Sequence, residues 1–278
     1  MTNQIEIAAP AKINIFLKVL NKRLDGYHNI RSGITFVNLF DKVVIKKSDK
    51  MMIRYDGPFK PDKENYDDCI ILKTLNFLKL KDSIKLDISI TKNIPVAGGL
   101  GSASTNAAAL IKGLNVMNLI KKKENKDYVS LGADIPCFLY KQNCLVTGIG
   151  EILYPLHFPK YYFLIIQPKW KNSTKEMYNK FESRDQIIKD NSSILGIDIN
   201  DDDFGNDFEK IILKDQGNFK ELMSFIEQLN NVIFCRMTGS GSCFYAVFEK
   251  KKFALEANNI FKRKFNDLWT CVCENNTF

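Results

Sequence analysis

The sequence lacks several things, and each absence narrows what the chain is. No apolar run approaches the ~18 residues of a membrane-spanning helix. The first twenty residues are broken by Glu6, Lys12 and Lys18. They do not read as a signal peptide, so the expected location is cytoplasmic. Cysteines number seven, an odd count at irregular spacing, which argues against a disulfide framework. Cys271 and Cys273 form a C-x-C with no second pair nearby, so zinc is not expected. They read more simply as same-face residues of a strand. The Asn-x-Ser/Thr matches at Asn172, Asn191 and Asn275 carry little meaning in a chain that is not secreted. Histidines number two, His28 and His157. There is no internal repeat and no low-complexity linker.

What is present is ordinary in bulk. The 278 residues suffice for one large domain or two of usual size, with 45% hydrophobic and 26% charged residues. Net charge is +8. The basic runs Lys121–Lys123, Lys250–Lys252 and Lys262–Lys264 are scattered, and 198–209 is acidic. Nucleic-acid binders concentrate their bases and interleave aromatics, so no nucleic-acid partner is expected. No membrane partner is expected either. The positive surplus favours a small anionic substrate.

The most informative stretch runs from Ile94 to Ala109. Gly98, Gly99 and Gly101 permit tight turning and close approach of the backbone to a ligand. Ser102, Ser104 and Thr105 add hydroxyls. Ala107, Leu110, Ile111 and Leu114 then recur at i, i+3, i+4 and i+7, as on an amphipathic helix. A glycine loop that feeds a helix N-terminus suits an anion, most often a phosphate. It is neither a Walker loop, which needs Gly-Lys-Ser/Thr, nor the G-x-G-x-x-G dinucleotide pattern. Taken alone it also fits a plain turn into a core helix.

Periodicity predicts the rest. Ile13, Ile15, Leu17 and Val19 alternate as a strand, with Lys12, Asn14, Phe16 and Lys18 on its other face. Asp25-Gly26 marks a turn. Ile34 with Phe36, and Val43 with Ile45, suggest further strands. Ile70, Ile71, Thr74, Leu75 and Leu78 share a helical face, and Ile84, Leu86, Ile88 and Ile90 alternate strictly. Strands first, then helix, strand, loop and helix, favour α+β over a doubly wound sheet. Beyond residue 155, Tyr161, Phe163 and Ile165 alternate. Phe208, Ile211 and Ile212 share one helix face; Phe219, Leu222, Met223 and Ile226 share another. A continuous strand, Phe244 to Phe248, follows Gly239-Ser240-Gly241. Phe253, Ala257, Ile260, Phe261 and Phe265 form a last helix before a strand at Trp269–Cys273. This order predicts a ferredoxin-like α/β sandwich, with the domain boundary between Pro155 and Lys160.

Four separated segments stand in one order: Pro10-Ala11-Lys12-Ile13-Asn14, the loop at 95–105, Leu131-Gly132-Ala133-Asp134-Ile135-Pro136, and Met237-Thr238-Gly239-Ser240-Gly241-Ser242. Together they resemble the GHMP kinase superfamily over almost the whole chain. Asp25-Gly26-Tyr27-His28, Gly148-Ile149-Gly150-Glu151 and Gly205-Asn206-Asp207-Phe208-Glu209 resemble one branch of it. That branch phosphorylates a cytidine-diphosphate-linked methylerythritol in the non-mevalonate route to isopentenyl diphosphate.

The resemblance implies a two-domain GHMP kinase fold. Residues 1–157 would be a ribosomal protein S5 domain 2-like ATP-binding domain, and residues 158–278 the ferredoxin-like one. It implies ATP and Mg²⁺, a monomer or homodimer, and transfer of phosphate to a 2-hydroxyl. Asp134 would accept or orient the hydroxyl proton, and Lys12 would keep Asp134 ionised and meet the transferring phosphoryl. Pro95, Val96, Ala97, Gly98, Gly99, Leu100, Gly101, Ser102, Ala103, Ser104 and Thr105 would wrap the ATP phosphates, with Ser102 or Ser104 near Mg²⁺. Asn65 would contact adenine; Lys92 and Asn93 are weaker candidates. Asn14, Tyr27, His28, Tyr178, Gly239, Ser240 and Gly241 would bind the cytidyl substrate, Tyr27 and Tyr178 by stacking and His28 at the pyrimidine edge. His157 has no matching motif. The same residues leave open another superfamily kinase acting on a small alcohol, and a nucleotide sensor without catalysis. Ser102 and Ala103 replace two glycines of the branch's loop, which requires ordinary backbone angles there.

Overall fold

The structure is a computed structural model. It describes residues 3–62, 69–81, 83–121, 123–181, 204–215 and 217–275. By backbone contacts the chain divides into two compact units that interleave in sequence. The first comprises Met1–Ala11, Asn38–Val96 and Gly101–Gln142; the second comprises Lys12–Val37, Ala97–Leu100 and Asn143–Phe278. Two long strands, β1 (Gln4–Lys22) and β2 (His28–Lys47), contribute to both. The sequence predicts separate strands around Ile34 and Val43; one unbroken β2 carries both. No glycine or proline interrupts residues 34–47, so nothing stops the extended backbone.

In the first unit, β3 (Met52–Asp56) runs parallel to β4 (Leu86–Thr91), with α1 (Ile70–Phe77) between them in sequence. The C-terminal half of β2 pairs antiparallel with β4, from Lys42 opposite Thr91 to Lys47 opposite Leu86. Leu86, Ile88 and Ile90 are buried while Asp87 and Ser89 are not, as the alternation predicts. These strand residues share a core with Ile71 and Leu75 of α1. Ala109, Leu110 and Leu114 of α2 (Ser102–Val116) complete it. The second helix therefore enters the core on the stripe read from its spacing. A short helix, α3 (Ile135–Tyr140), follows the Leu131–Asp134 segment.

In the second unit the N-terminal part of β2 pairs with β5 (Cys144–Thr147), which pairs with β6 (Ile152–Pro155). Then come β7 (Tyr162–Gln167), α4 (Thr174–Lys180), α5 (Glu209–Asp215) and α6 (Gly217–Glu227). They are followed by β8 (Phe234–Met237), β9 (Phe244–Phe248), α7 (Lys251–Lys264) and β10 (Trp269–Glu274). The four strands form an antiparallel sheet in the order β10-β7-β9-β8. With helices before β8 and after β9, this is the predicted ferredoxin-like arrangement.

Alternation understates β7. Phe163, Leu164, Ile165 and Ile166 are all buried. Leu164 and Ile166 meet the helices in one cluster with Phe244, Phe219, Ile226 and Phe261. On the other face Phe163 packs edge-on to Tyr245, whose hydroxyl donates to the carbonyls of Asn14 and Ile15 at 3.0 and 3.3 Å. A central strand covered on both faces reads as a continuous apolar run. On α7, Ala254, Ala257 and Phe261 are buried, but Ile260 is exposed. One residue from Phe261 is a rotation of about 100° around a helix, which takes Ile260 off the core stripe. Among the described residues no helix is long and apolar enough to cross a membrane.

Candidate active site

The glycine loop does two jobs. Positive φ angles fall at Ala97, Gly99 and Gly101, whereas Ser102 and Ala103 take ordinary angles as the first residues of α2. The serine and alanine thus stand where the backbone does not require glycine. Gly101 is the N-cap of α2, and no side chain caps the helix. The amides of its first turn therefore keep the donor character and partial positive charge that suit an anion. Of the three hydroxyls, Ser102 and Thr105 are buried and Ser104 is half-exposed. An added Cβ on Gly132 would lie 3.6 Å from Ser104 Oγ, so the serine neighbours the Leu131–Asp134 segment. Asp134 takes the N-cap position of α3, but its side chain makes no capping hydrogen bond.

Within the second unit, residues 97–100 meet the glycine turn at 238–243. The amides of Ser242 and Cys243 donate to the carbonyls of Ala97 and Gly98, at 3.3 and 3.1 Å. A Cβ on Gly99 would sit 2.0 Å from the Thr238 carbonyl oxygen. Glycine is therefore needed here for the close approach of two backbones, as well as for φ of +74°. The turn has its own support. Asn206 Nδ2 donates to the carbonyls of Met237 and Gly239, both at 2.8 Å, and Glu209 accepts the Met237 amide at 2.5 Å. Burial pushes the Glu209 carboxyl up to about 7. Asp207 accepts the Val19 amide at 2.9 Å. The 205–209 segment thus ties the glycine turn to β1. Ser240 shares a hydrogen bond of 2.8 Å with Thr174.

Lys12 is buried at 4% exposure, although its face of β1 reads as polar. Its ammonium donates to Asn14 Oδ1. Asn14 in turn donates through Nδ2 to Ser32 Oγ at 2.8 Å and through its amide to Thr238 Oγ1 at 3.1 Å. At the Asp25-Gly26 turn, Asp25 accepts the Tyr27 amide at 3.1 Å. Tyr27 is exposed and His28 is buried. The His28 ring stacks on Tyr178, with centroids 5.5 Å apart and planes at 24°. Tyr178 is braced edge-on by Phe208 at 4.9 Å. Burial lowers the His28 pKa, with Lys22 adding to the effect, so the ring favours its neutral form.

The chain matches the model of the GHMP kinases N-terminal domain over residues 70–142. It is 36% identical over 249 residues to a 4-diphosphocytidyl-2-C-methyl-D-erythritol kinase of Francisella tularensis subsp. novicida, covering 87% of this chain and 86% of that one. The chain belongs to the 4-diphosphocytidyl-2-C-methyl-D-erythritol kinase family. A family member from Buchnera aphidicola subsp. Schizaphis graminum is 35% identical over 267 residues, 91% of this chain and 87% of its own. The fold agrees with a crystal structure of 4-(cytidine 5'-diphospho)-2C-methyl-D-erythritol kinase. There the TM-score is 0.78 at 23% identity, with 97% of this chain and 99% of that one covered. As a member of this kinase family the chain is an ATP-dependent kinase.

Against that identity, the site residues sort clearly. Lys12, Asn14 and Ser32 join one polar cluster with Thr238, and His28 joins Tyr178. Ser104 lies beside Gly132. Asn65 lies outside the described residues. Lys92, a weaker adenine candidate, turns inward instead. Its ammonium donates to Asp41 Oδ2, Ser102 Oγ and Asn106 Oδ1, which uses all three N–H groups. Burial lowers the Lys92 pKa, and the Asp41 carboxylate opposes that shift. Asp41 is wholly buried and also accepts the amides of Asn93 and Ile94, at 2.7 and 2.8 Å. Asp41 belongs to no sequence motif. Its one signal was a lone aspartate inside an otherwise strand-like stretch.

Proposed function

We propose that this kinase uses ATP to phosphorylate the 2-hydroxyl of 4-diphosphocytidyl-2-C-methyl-D-erythritol, in the non-mevalonate route to isopentenyl diphosphate. The observation that carries the ATP side is the N-terminus of α2, which no side chain caps, entered through left-handed residues at 97, 99 and 101. Amides and hydroxyls suit phosphate oxygens, so ATP fits the donors present from Pro95 to Thr105. Mg²⁺ would arrive on the ATP phosphates and neutralise their charge. The Ser102 hydroxyl is engaged by Lys92 and Ile94, which supports Ser104 as the hydroxyl beside the metal.

In this reading Asp134 orients the 2-hydroxyl and takes its proton late in transfer. Lys12 meets the negative charge on the moving phosphoryl, and Asn14 holds the lysine in place. Tyr27 and Tyr178 offer faces to cytosine, and His28 its edge; the Gly239-Ser240-Gly241 turn receives the substrate diphosphate. Residues 1–157 serve as the ATP-binding domain and residues 158–278 as the second kinase domain. Asn65 contacts adenine. The kinase works in the cytoplasm as a monomer or homodimer, with no nucleic-acid or membrane partner.

The test offers Mg²⁺-ATP with the cytidyl substrate and, separately, with homoserine, mevalonate and galactose. Turnover of the cytidyl substrate alone is expected. Turnover of one of the other alcohols without it would sink the reading. Asp134→Ala should lower turnover at least ~100-fold with ATP still bound, and near wild-type turnover would remove Asp134 from the mechanism. Tyr27→Ala should chiefly raise KM for the cytidyl substrate; an effect confined to ATP would place the cytosine elsewhere.

A further inference from the structure

Among the described residues, Asp41 and Lys92 are the most deeply buried pair of opposite charges. Asp41 shows 0% exposure and Lys92 3%. Burying two opposite charges is costly and seldom stabilises a fold relative to apolar residues of similar size. Its position therefore calls for a reason other than stability. Asp41 Oδ1 takes the amides of Asn93 and Ile94, where the chain leaves β4 for the glycine loop. On the other side, Lys92 holds Ser102 and Asn106, and Asn106 Nδ2 donates back to Asp41 Oδ2 at 2.9 Å. Ser102 and Asn106 are one turn apart on α2. The Ser102 hydroxyl also reaches the Ile94 carbonyl at 3.3 Å.

One ion pair thus fixes both the segment that leaves β4 and the first turn of α2. It is also neutral as a unit. A lone carboxylate there would repel a phosphate, and a lone ammonium would oppose the helix dipole. Paired, the two leave the field of the helix N-terminus unspent.

We propose that Asp41 and Lys92 are positioning residues for ATP: the buried pair holds the first turn of α2 in the orientation that receives phosphate. This rests on the reading of α2 as the phosphate site. Neither residue touches substrate. Their effect reaches the reaction through the aim of the Ser102–Ser104 amides and the Ser104 hydroxyl.

The experiment uses the full chain. Lys92→Met removes the ammonium at nearly constant volume and leaves Asp41 its two loop amides. KM for ATP, KM for the cytidyl substrate and kcat are measured beside wild type, with amide hydrogen exchange of residues 93–106 in the same samples. The expected result is a KM for ATP raised about tenfold and a KM for the cytidyl substrate within about twofold. Exchange at 102–104 should rise about tenfold while β7 and β9 stay protected. Unchanged KM for ATP overturns the proposal, as does a parallel rise in both KM values with exchange quickened throughout. If Lys92→Met does not fold, the neutral double variant Asp41→Asn with Lys92→Met replaces it. Wild-type KM and exchange in that variant overturn the proposal equally. ATP protection of amides 102–104 in wild type tests the phosphate site by itself. Its absence overturns that site and the kinetic arm, and the exchange rates of the free variant then decide the clamp alone.

Discussion

Two lysines are buried to nearly the same degree, Lys12 at 4% and Lys92 at 3%, in different company. Lys92 meets a carboxylate, a hydroxyl and an amide oxygen, and the carboxylate is itself held by two backbone amides. Lys12 donates to the neutral side chain of Asn14, itself held by Ser32 and Thr238. Each cluster also has a glycine where backbones press together. A Cβ on Gly57 would lie 2.5 Å from the Lys92 carbonyl oxygen, and one on Gly99 would lie 2.0 Å from that of Thr238. The lesson is that burial of a lysine does not by itself identify its task; its acceptors do. A carboxylate that saturates the ammonium makes a brace. Asn14 fixes the direction in which the Lys12 ammonium points.

Replacing each lysine by methionine breaks the comparison most strongly. Lys12→Met should cut kcat at least ~100-fold while ATP still binds. Lys92→Met should act mainly on KM for ATP. Steady-state kinetics with both substrates separates the two, and matching kinetic profiles would erase the difference between the two lysines. Next in size are the glycines. Gly99→Ala should destabilise the chain by ~2–3 kcal/mol, because its neighbour is backbone and cannot swing aside. It should also lower kcat in the folded fraction, since Thr238 holds Asn14. Gly57→Ala should destabilise similarly and disturb KM for ATP instead. Denaturant midpoints and kinetics on the same preparations check both.

The smallest effect concerns Glu209, which holds the Met237 amide ahead of Thr238. Its carboxyl is raised to about 7, so the folded chain binds its proton more tightly than the unfolded chain does. Stability from this group is therefore full at low pH and falls as pH rises from its ordinary value through about 7. Glu209→Gln keeps an acceptor and cannot ionise. It should match wild type at pH ~5 and be more stable at pH ~8 by about 1–2 kcal/mol. Urea midpoints at the two pH values decide this, and equal differences at both would refute the assignment.

Much of the fold was legible because the signals are local. The alternation of Leu86, Ile88 and Ile90 and the stripe of Ala107, Leu110, Ile111 and Leu114 report on neighbours within one element. The order of elements beyond residue 155 was enough to name the ferredoxin-like half. Periodicity failed at β7, where both faces are covered, and at Ile260, where a stripe was drawn one residue too wide. At the site, the glycine loop, the Asp25–His28 turn and the two candidate catalytic residues stand out as motifs. Asp41 does not, because a single aspartate on a strand has no spacing to betray it.

The sequence by itself therefore determined the element types, the kinase family resemblance and the residues that carry its motifs. The tertiary structure decided what those residues do for one another. Asn14 meets Thr238 across 224 positions, and Lys92 meets Asp41 across 51. Such pairings arise from strand register and core packing, which bring distant segments to one place. Hydrogen bonds and ion pairs act over a few ångströms of space whatever the separation along the chain. The contrast between Lys12 and Lys92 thus exists only once the chain has folded.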